Sequence, residues 1–188
     1  MTDNYFVRTT VPVPCIDWQS VWGDSSPRGV TTHRWKPVKE LDNIWPKDVY
    51  EKFNSIGLKP LMARVFKWHS QSFFPWHIDG YEKGVTKCAL NWVVQGGGIV
   101  QWNDSMTLDG QTNGLATAAA DGTYNDAYTC QTESTDTNYL VKTDIPHRVF
   151  GVDPRVPRIS ISILFDNNWM WPYERVRDKL HEVDLVII

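Results

Sequence analysis

The sequence predicts a mainly β protein with helices at its flanks, of barrel or jelly-roll type. Three observations point there. Ten tryptophans and 13% aromatic residues in 188 positions favour strands, where large rings pack on a pleated surface. Twelve glycines and eleven prolines fit many short elements joined by tight turns. Strand-like runs fill the middle of the chain, and amphipathic helical patterns stand on either side.

Residues 1–45 are rich in Pro, Trp and Thr without clean periodicity, and predict short strands and loops wrapped around a core. Pro46–Ile56 predicts a helix. Proline stands in its first turn and Gly57 follows its end. Val49, Phe53 and Ile56 share one face. Leu61–Asp79 turns strand-like, and Lys87–Val94 is another strand. Gly96–Gly98 then predicts a hairpin to a short strand, Ile99–Trp102.

The stretch 104–137 is dominated by Thr, Asp, Asn, Gly and Ala. It predicts a long surface excursion with at most one weak hairpin, either a lid or disordered. Tyr139–Lys142 resumes a strand. His147–Phe150 and Arg158–Phe165 predict a strand pair around the turn Gly151–Pro157. Pro172–Val183 predicts a closing helix with Val176, Leu180 and Val183 on one stripe. The expected organisation is one domain: an N-terminal wrap and helix over 1–60, a core over 61–165 with an insert at 104–137, and a C-terminal helix over 166–188.

Composition excludes several function classes. The charge count is 19 Lys+Arg against 22 Asp+Glu, a formal net charge of -3, and no run of five like charges occurs. Non-specific nucleic-acid binding as the main role needs a basic footprint, which this charge balance argues against while leaving a local basic patch open. Cys15, Cys88 and Cys130 lie far apart and form no CxxC pair, which argues against a disulfide scaffold or a cysteine zinc knuckle. Met1–Thr10 lacks the basic start and apolar core of a signal peptide, and the apolar runs are too short to span a bilayer. A soluble, cytoplasmic protein is expected. Gly96–Gly98 lacks the context of a phosphate loop, and no GxSxG pattern supports a hydrolase.

Chemistry concentrates in three places. In Trp76-His77-Ile78-Asp79-Gly80, residues two apart on a strand point the same way, so His77 and Asp79 present an imidazole and a carboxylate side by side. His147 opens a later strand. Two histidines and one carboxylate on one face leave open positions on a divalent ion, the facial triad of non-haem Fe(II) oxygenases. Third, Arg158-Ile159-Ser160-Ile161-Ser162-Ile163 alternates strictly, with Ile159, Ile161, Ile163 and Phe165 on one face and Arg158, Ser160 and Ser162 on the other. This is either a wet polar face or a ligand clamp. A turn centred between Val152 and Asp153 sets His147 opposite Arg158, with Cβ atoms roughly 5 Å apart. An arginine so placed forks onto a carboxylate, and Ser160 adds a further hydrogen bond. A dicarboxylate bridging metal and arginine fits that arrangement.

His77-x-Asp79, a gap of tens of residues, His147 and then Arg158-x-Ser160 resemble the Fe(II)/2-oxoglutarate-dependent dioxygenases. The resemblance covers roughly residues 61–165 and is strongest over 74–79 and 146–165. It is similar in flavour to the small prolyl-hydroxylase-like and aspartyl/asparaginyl-hydroxylase-like members, including compact versions from bacteria and phages. The resemblance implies a double-stranded β-helix, Fe(II), 2-oxoglutarate and O₂. It implies that His77, Asp79 and His147 are the catalytic iron ligands, that Arg158 and Ser160 bind the cosubstrate's C5 carboxylate, and that a substrate is hydroxylated with succinate and CO₂ as co-products. Asn91, the polar residue of an apolar strand, is a further cosubstrate candidate, and Lys67, Arg64 and Asn91 compete for the second contact. The excursion departs from the family pattern. The substrate class stays open between a small molecule and a peptide side chain.

Two rivals stand beside this reading. One is a cupin-like jelly roll that binds a metal or small molecule without oxygenase activity; the other is a degenerate, non-enzymatic binding module. His69 has a place near the cavity or in solvent. His33 and His181 have no partners in sequence. Trp68, Trp76, Trp92 and Trp102 belong either to a pocket mouth or to the core.

Overall fold

The computed structural model describes residues 4–22, 34–68, 73–81, 84–103, 111–112, 115–117, 128–132, 138–151, 156–167 and 170–187. The elements run β1 (Phe6–Arg8), α1 (Trp18–Trp22), β2 (Arg34–Val38), α2 (Lys47–Ser55), β3 (Pro60–Trp68), β4 (Phe73–Ile78), β5 (Gly80–Tyr81), β6 (Gly84–Val85), β7 (Cys88–Gln95), β8 (Gly98–Trp102), β9 (Gln111–Thr112), β10 (Leu115–Thr117), β11 (Tyr128–Thr132), β12 (Asn138–Lys142), β13 (His147–Gly151), β14 (Arg158–Phe165) and α3 (Tyr173–Glu182).

Two six-stranded antiparallel sheets carry the fold. Their orders are β1-β12-β7-β14-β3-β2 and β11-β8-β13-β4-β10-β9. The central strands β12-β7-β14-β3 face β11-β8-β13-β4, and the chain passes repeatedly from one sheet to the other. That alternation is the strand order of a double-stranded β-helix, so the jelly roll is read from topology itself.

The same alternation corrects two expectations. β7 and β8 are not a hairpin, and neither are β13 and β14, because the members of each pair lie in different sheets. His147 is therefore not paired with Arg158: His147 pairs with His77 and Trp102, and Arg158 pairs with Trp68. A glycine-rich connection serves a hairpin and a sheet-to-sheet corner equally well, and only long-range pairing separates them. Gly96 makes such a corner with φ +67. A Cβ there would lie 2.9 Å from the Pro157 carbonyl oxygen and 3.1 Å from Arg158 Cα.

The stretch 104–137 is also more than an excursion. Tyr128–Thr132 runs antiparallel to β8 as a strand of the β-helix, and β10 pairs with β4, setting Thr117 against His77. The β9–β10 pairing is the one hairpin expected there. The rest of that stretch lies outside the described residues, as do His33 and His69.

Both helices form where expected, α2 with Pro46 at its N-cap position and α3 with Pro172 there. Their apolar stripes pack on the outer face of the larger sheet. Val49, Phe53, Val176 and Leu180 join Ala63, Val65, Leu90, Trp92, Ile159, Ile161 and Ile163 in the main core. Trp92 is thus a core residue; its indole N–H donates to the Val11 carbonyl at 3.1 Å. The sequence reading missed α1. Its signal is Asp17, whose Oδ1 accepts from the Gln19 and Ser20 amides at 3.1 Å as an N-cap.

A second, smaller cluster lies between the sheets, with Met62, Ala89, Tyr139, Val141 and Leu164 of the larger sheet against Val100 and Trp102 of the smaller. Strand parity then puts Arg64, Asn91, Arg158, Ser160 and Ser162 on the same inner face. All eight residues of β14 are buried, so its polar face is neither wet nor outward. Lys67 has the opposite parity and leaves the inner face, which removes it from the cosubstrate candidates. Among the described residues no helix is long and apolar enough to cross a membrane.

Candidate metal centre

His77 and His147 are cross-strand partners on β4 and β13, so their side chains leave the sheet on the same side. Their rings stand 4.2 Å apart, centroid to centroid. Asp79 lies one residue past β4, and its backbone is held at both ends. Its N–H donates to the Thr143 carbonyl and its own carbonyl accepts from the Thr86 N–H, each at 3.0 Å. The Thr143 hydroxyl donates to the Thr86 carbonyl at 2.8 Å and closes this clasp. A residue at a strand's exit is thereby fixed as firmly as one within it.

Asp79 Oδ1 lies 3.4 Å from His77 Nε2 and 3.8 Å from His147 Nε2. The ligand atoms of the three residues all fall within 4.8 Å of one another. Atoms bound about 2.1 Å from one ion stand roughly 3.0–3.5 Å apart, so the set fits a shared cation with little adjustment. The donor types agree: two imidazoles and a carboxylate suit a first-row divalent metal and leave further positions open.

The tautomer is set locally. His147 Nδ1 lies 3.0 Å from the Ile145 carbonyl, which can only accept, so Nδ1 carries the proton and Nε2 offers its lone pair to the site. Burial, with the neighbouring His77 charge, pushes His147 down to about 4, against the pull of Asp79 and the Ile145 bond. Burial alone would raise the Asp79 carboxyl. The His77 hydrogen bond and the charges of His147, His77 and Arg64 outweigh it and hold the group well below the usual carboxylate range. Both directions favour metal binding at these two residues at neutral pH: a neutral His147 imidazole and an ionised Asp79 carboxylate.

Facing this centre is the inner surface of the larger sheet. Arg158 opens β14, 5% exposed, and its Nη1 donates to Ser160 Oγ at 3.3 Å. Burial lowers its pKa to about 10, with Tyr139 pulling the other way, so the guanidinium stays charged at neutral pH. Asn91 on β7 is half-buried and pairs with Ser162 and Tyr139. The structure therefore brings His77, Asp79 and His147 together on one side of the barrel and Arg158, Ser160 and Asn91 onto the facing sheet. Sequence reasoning missed Tyr139, Thr86 and Thr143, for which no motif exists. Ser162 was marked only by its place in the alternating strand.

The remaining candidates sort by position. Trp102 packs beside His147 as its cross-strand neighbour, stacked with Phe6 at 5.7 Å between centroids. Trp76 is buried with the Arg148 guanidinium 4.6 Å over its ring. His181 is exposed on α3. The side chain of Trp68 lies outside the described set.

No protein-family model matches the chain, and no curated protein matches it. Solved structures that overlay on it include an oxalate oxidase in complex with the substrate analogue glycolate, at 14% identity over 78% of this chain and 56% of that one, TM-score 0.41. A Bacillus subtilis oxalate decarboxylase with Mn(II) centres overlays at 11% identity over 82% of this chain and 34% of its own, TM-score 0.40. A cupin-like protein from Thermotoga maritima does so at 11% identity over 71% and 68%, TM-score 0.37. The chain thus spans about half the length of the oxalate oxidase that it overlays. The fold rests on the strand order of the two sheets: this chain is a jelly roll.

Proposed function

We propose that this protein is a non-haem Fe(II)/2-oxoglutarate-dependent oxygenase that hydroxylates a small molecule or a peptide side chain. The observation that supports this most is the buried Arg158–Ser160 pair on the inner face of a barrel whose opposite wall carries His77, Asp79 and His147. A metal centre alone needs no arginine inside the barrel. A buried guanidinium beside a hydroxyl suits a carboxylate, and one placed across from a divalent centre suits a molecule with a chelating end and a carboxylate end.

In this reading His77, Asp79 and His147 hold Fe(II), and Arg158 with Ser160 holds the C5 carboxylate of 2-oxoglutarate. Iron(II) bound there with 2-oxoglutarate and O₂ supplies oxidation of an unactivated C–H bond, with succinate and CO₂ as co-products. The Ile145 carbonyl keeps His147 Nε2 aimed inward. The Thr86–Asp79–Thr143 clasp keeps the carboxylate in reach without a change of backbone. Packing of Trp102 beside His147 limits water on that side.

The test is an anaerobic titration followed by visible absorption. Fe(II) with 2-oxoglutarate is expected to give a weak charge-transfer band that is lost in Arg158→Ala. A protein that takes up metal but gives no band and no 2-oxoglutarate affinity is instead a cupin-like metal or small-molecule binding protein.

A further inference from the structure

The register between β4 and β13 slips by one residue directly beside the metal centre. Phe73 and Phe74 pair with Phe150 and Val149, whereas His77 pairs with His147. From Phe74 to His77 there are three steps on β4, and from Val149 to His147 only two on β13. Arg148 therefore stands opposite both Pro75 and Trp76, a β-bulge. Proline suits that place, since it has no N–H to give to a ladder.

This slip decides which residue meets His147. Carried on without the bulge, the Phe73–Phe150 register would pair Trp76 with His147. A shift of one residue turns side chains to the opposite face of a sheet. Trp76 would then point into the barrel, and His77, with Asp79 two residues on, would turn away from His147. The neighbouring strand β10 does not fix the bulge from its own side: among the described residues it pairs with β4 at His77 and Ile78.

The reverse face of the same sheet carries a group that fits the bulge. Trp76, Arg148 and Gln101 each adjoin an inward-pointing residue (His77, His147 and Trp102), so they point outward. The Arg148 guanidinium carbon lies 4.6 Å from the centre of the Trp76 ring, and Arg148 Nε donates to Gln101 Oε1 at 2.8 Å. One side chain thus ties the adjacent strands β4, β13 and β8 at the level of the metal ligands. Trp76 is 3% exposed although it faces away from the barrel interior. In the slipped register its ring would lie across the sheet from Arg148. The stack is therefore made in one register only, and the Gln101 bond orients the guanidinium to make it.

We infer that the Gln101–Arg148–Trp76 brace positions the metal ligands: it holds the bulge at Pro75 and Trp76, and with it the register that sets His77 and Asp79 beside His147. Arg148 points away from the ion and acts through the backbone of β4, so it is a positioning residue. This role rests on the reading of His77, Asp79 and His147 as a metal centre.

The experiment uses the full chain and reads two quantities. Mn(II) affinity, with no other ligand added, is measured by electron paramagnetic resonance. Register is read in the metal-free protein from nuclear Overhauser contacts between backbone protons of β4 and β13. Arg148→Ala is compared with wild type and with Arg175→Ala, which removes a stack of the same kind, 4.1 Å over Trp171, from α3. Arg148→Ala is expected to weaken Mn(II) binding about 10-fold and to replace His77–His147 contacts partly by Trp76–His147 contacts. Arg148→Lys, which keeps a cation for the ring, recovers part of both. Arg175→Ala leaves both as in wild type. Should Arg148→Ala fail to fold, Arg148→Lys and Gln101→Met take its place, with expected losses of about 3-fold each.

Wild-type Mn(II) affinity in Arg148→Ala overturns the proposal. So do wild-type His77–His147 contacts in that variant, because any loss of affinity would then bypass the register. An equal loss in Arg175→Ala overturns it as well, since the effect would not belong to this brace. With the milder pair, wild-type values in both variants count equally against it. Wild-type Mn(II) affinity in Asp79→Ala would instead sink the metal centre, and the contacts in the metal-free protein would still decide whether Arg148 holds the register.

Discussion

Replacing Gly96 by alanine tests the corner that joins the two sheets and the placement of Arg158 together. An alanine at φ +67 leaves the right-handed region at a cost of about 1–2 kcal/mol. Its Cβ would sit 2.9 Å from the Pro157 oxygen, 3.1 Å from Arg158 Cα and 3.3 Å from Arg158 N. All three are backbone atoms that cannot swing aside, so one strand end must move, which adds about 1–3 kcal/mol. Loss of unfolded-state freedom returns about 0.4–1 kcal/mol. The expected net destabilisation is about 1–4.5 kcal/mol.

Gly57→Ala is the control. Gly57 has φ +74, but the nearest atom to its added Cβ is Trp171 Cη2 at an ordinary 3.5 Å. Only the conformational cost applies there, and after the unfolded-state gain the net is about 0–1.5 kcal/mol. Urea unfolding followed by tryptophan fluorescence gives both numbers, with the slope unchanged between variants. Equal losses in the two variants would refute the close backbone approach at Gly96. So would Gly96→Ala at wild-type stability.

Four further outcomes are expected. His77→Ala, Asp79→Ala and His147→Ala each abolish Fe(II) binding, because two ligands do not make a closed face; equilibrium dialysis checks it, and wild-type affinity in any one removes that residue from the set. Arg158→Ala weakens 2-oxoglutarate by about 2–5 kcal/mol and leaves metal binding intact, as read by paired titrations. The metal-free protein loses stability as pH falls from about 6.5 towards 4, because the unfolded chain takes up the His147 proton at 6.5 while the folded chain resists it to about 4. That loss is on the order of 3 kcal/mol, and denaturant midpoints across the range, with His147→Gln flattening the slope, measure it. Replacing Tyr128–Thr132 by a Gly-Ser linker removes the strand beside β8 and abolishes cooperative unfolding, as read by circular dichroism.

The sequence carried the existence of elements better than their partners. Alternation exposed β14 and its polar stripe, because side chains on a strand repeat every second residue whatever lies next to it. The same local signal could not say which sheet each strand joins. Glycine and proline mark a change of direction without its destination, so two corners looked like hairpins. His77, Asp79 and His147 were legible because two of them lie two apart on one strand and the third opens another. Arg158 was singled out from a pairing that does not exist; it reaches the same barrel from the opposite sheet. Arg64 was one of three competing residues, and strand parity and register, which no single strand reveals, separate it from Lys67. Tyr128–Thr132 carries no large aliphatic residue, so nothing local marked it as a strand of the smaller sheet.

β14 is buried on both faces, its isoleucines under the helices and its arginine and serines towards the barrel interior. The main core consequently lies outside the barrel, and the wall that would meet a ligand contributes little to it. Such a division of labour makes the barrel interior an evolvable surface. Exchanges at Arg64, Asn91, Ser160 or Ser162 would change the polar inner face, while the scaffold beneath α2 and α3 keeps its hydrophobic anchorage. Selection for a new ligand can act on one side of a strand while selection for folding acts on the other.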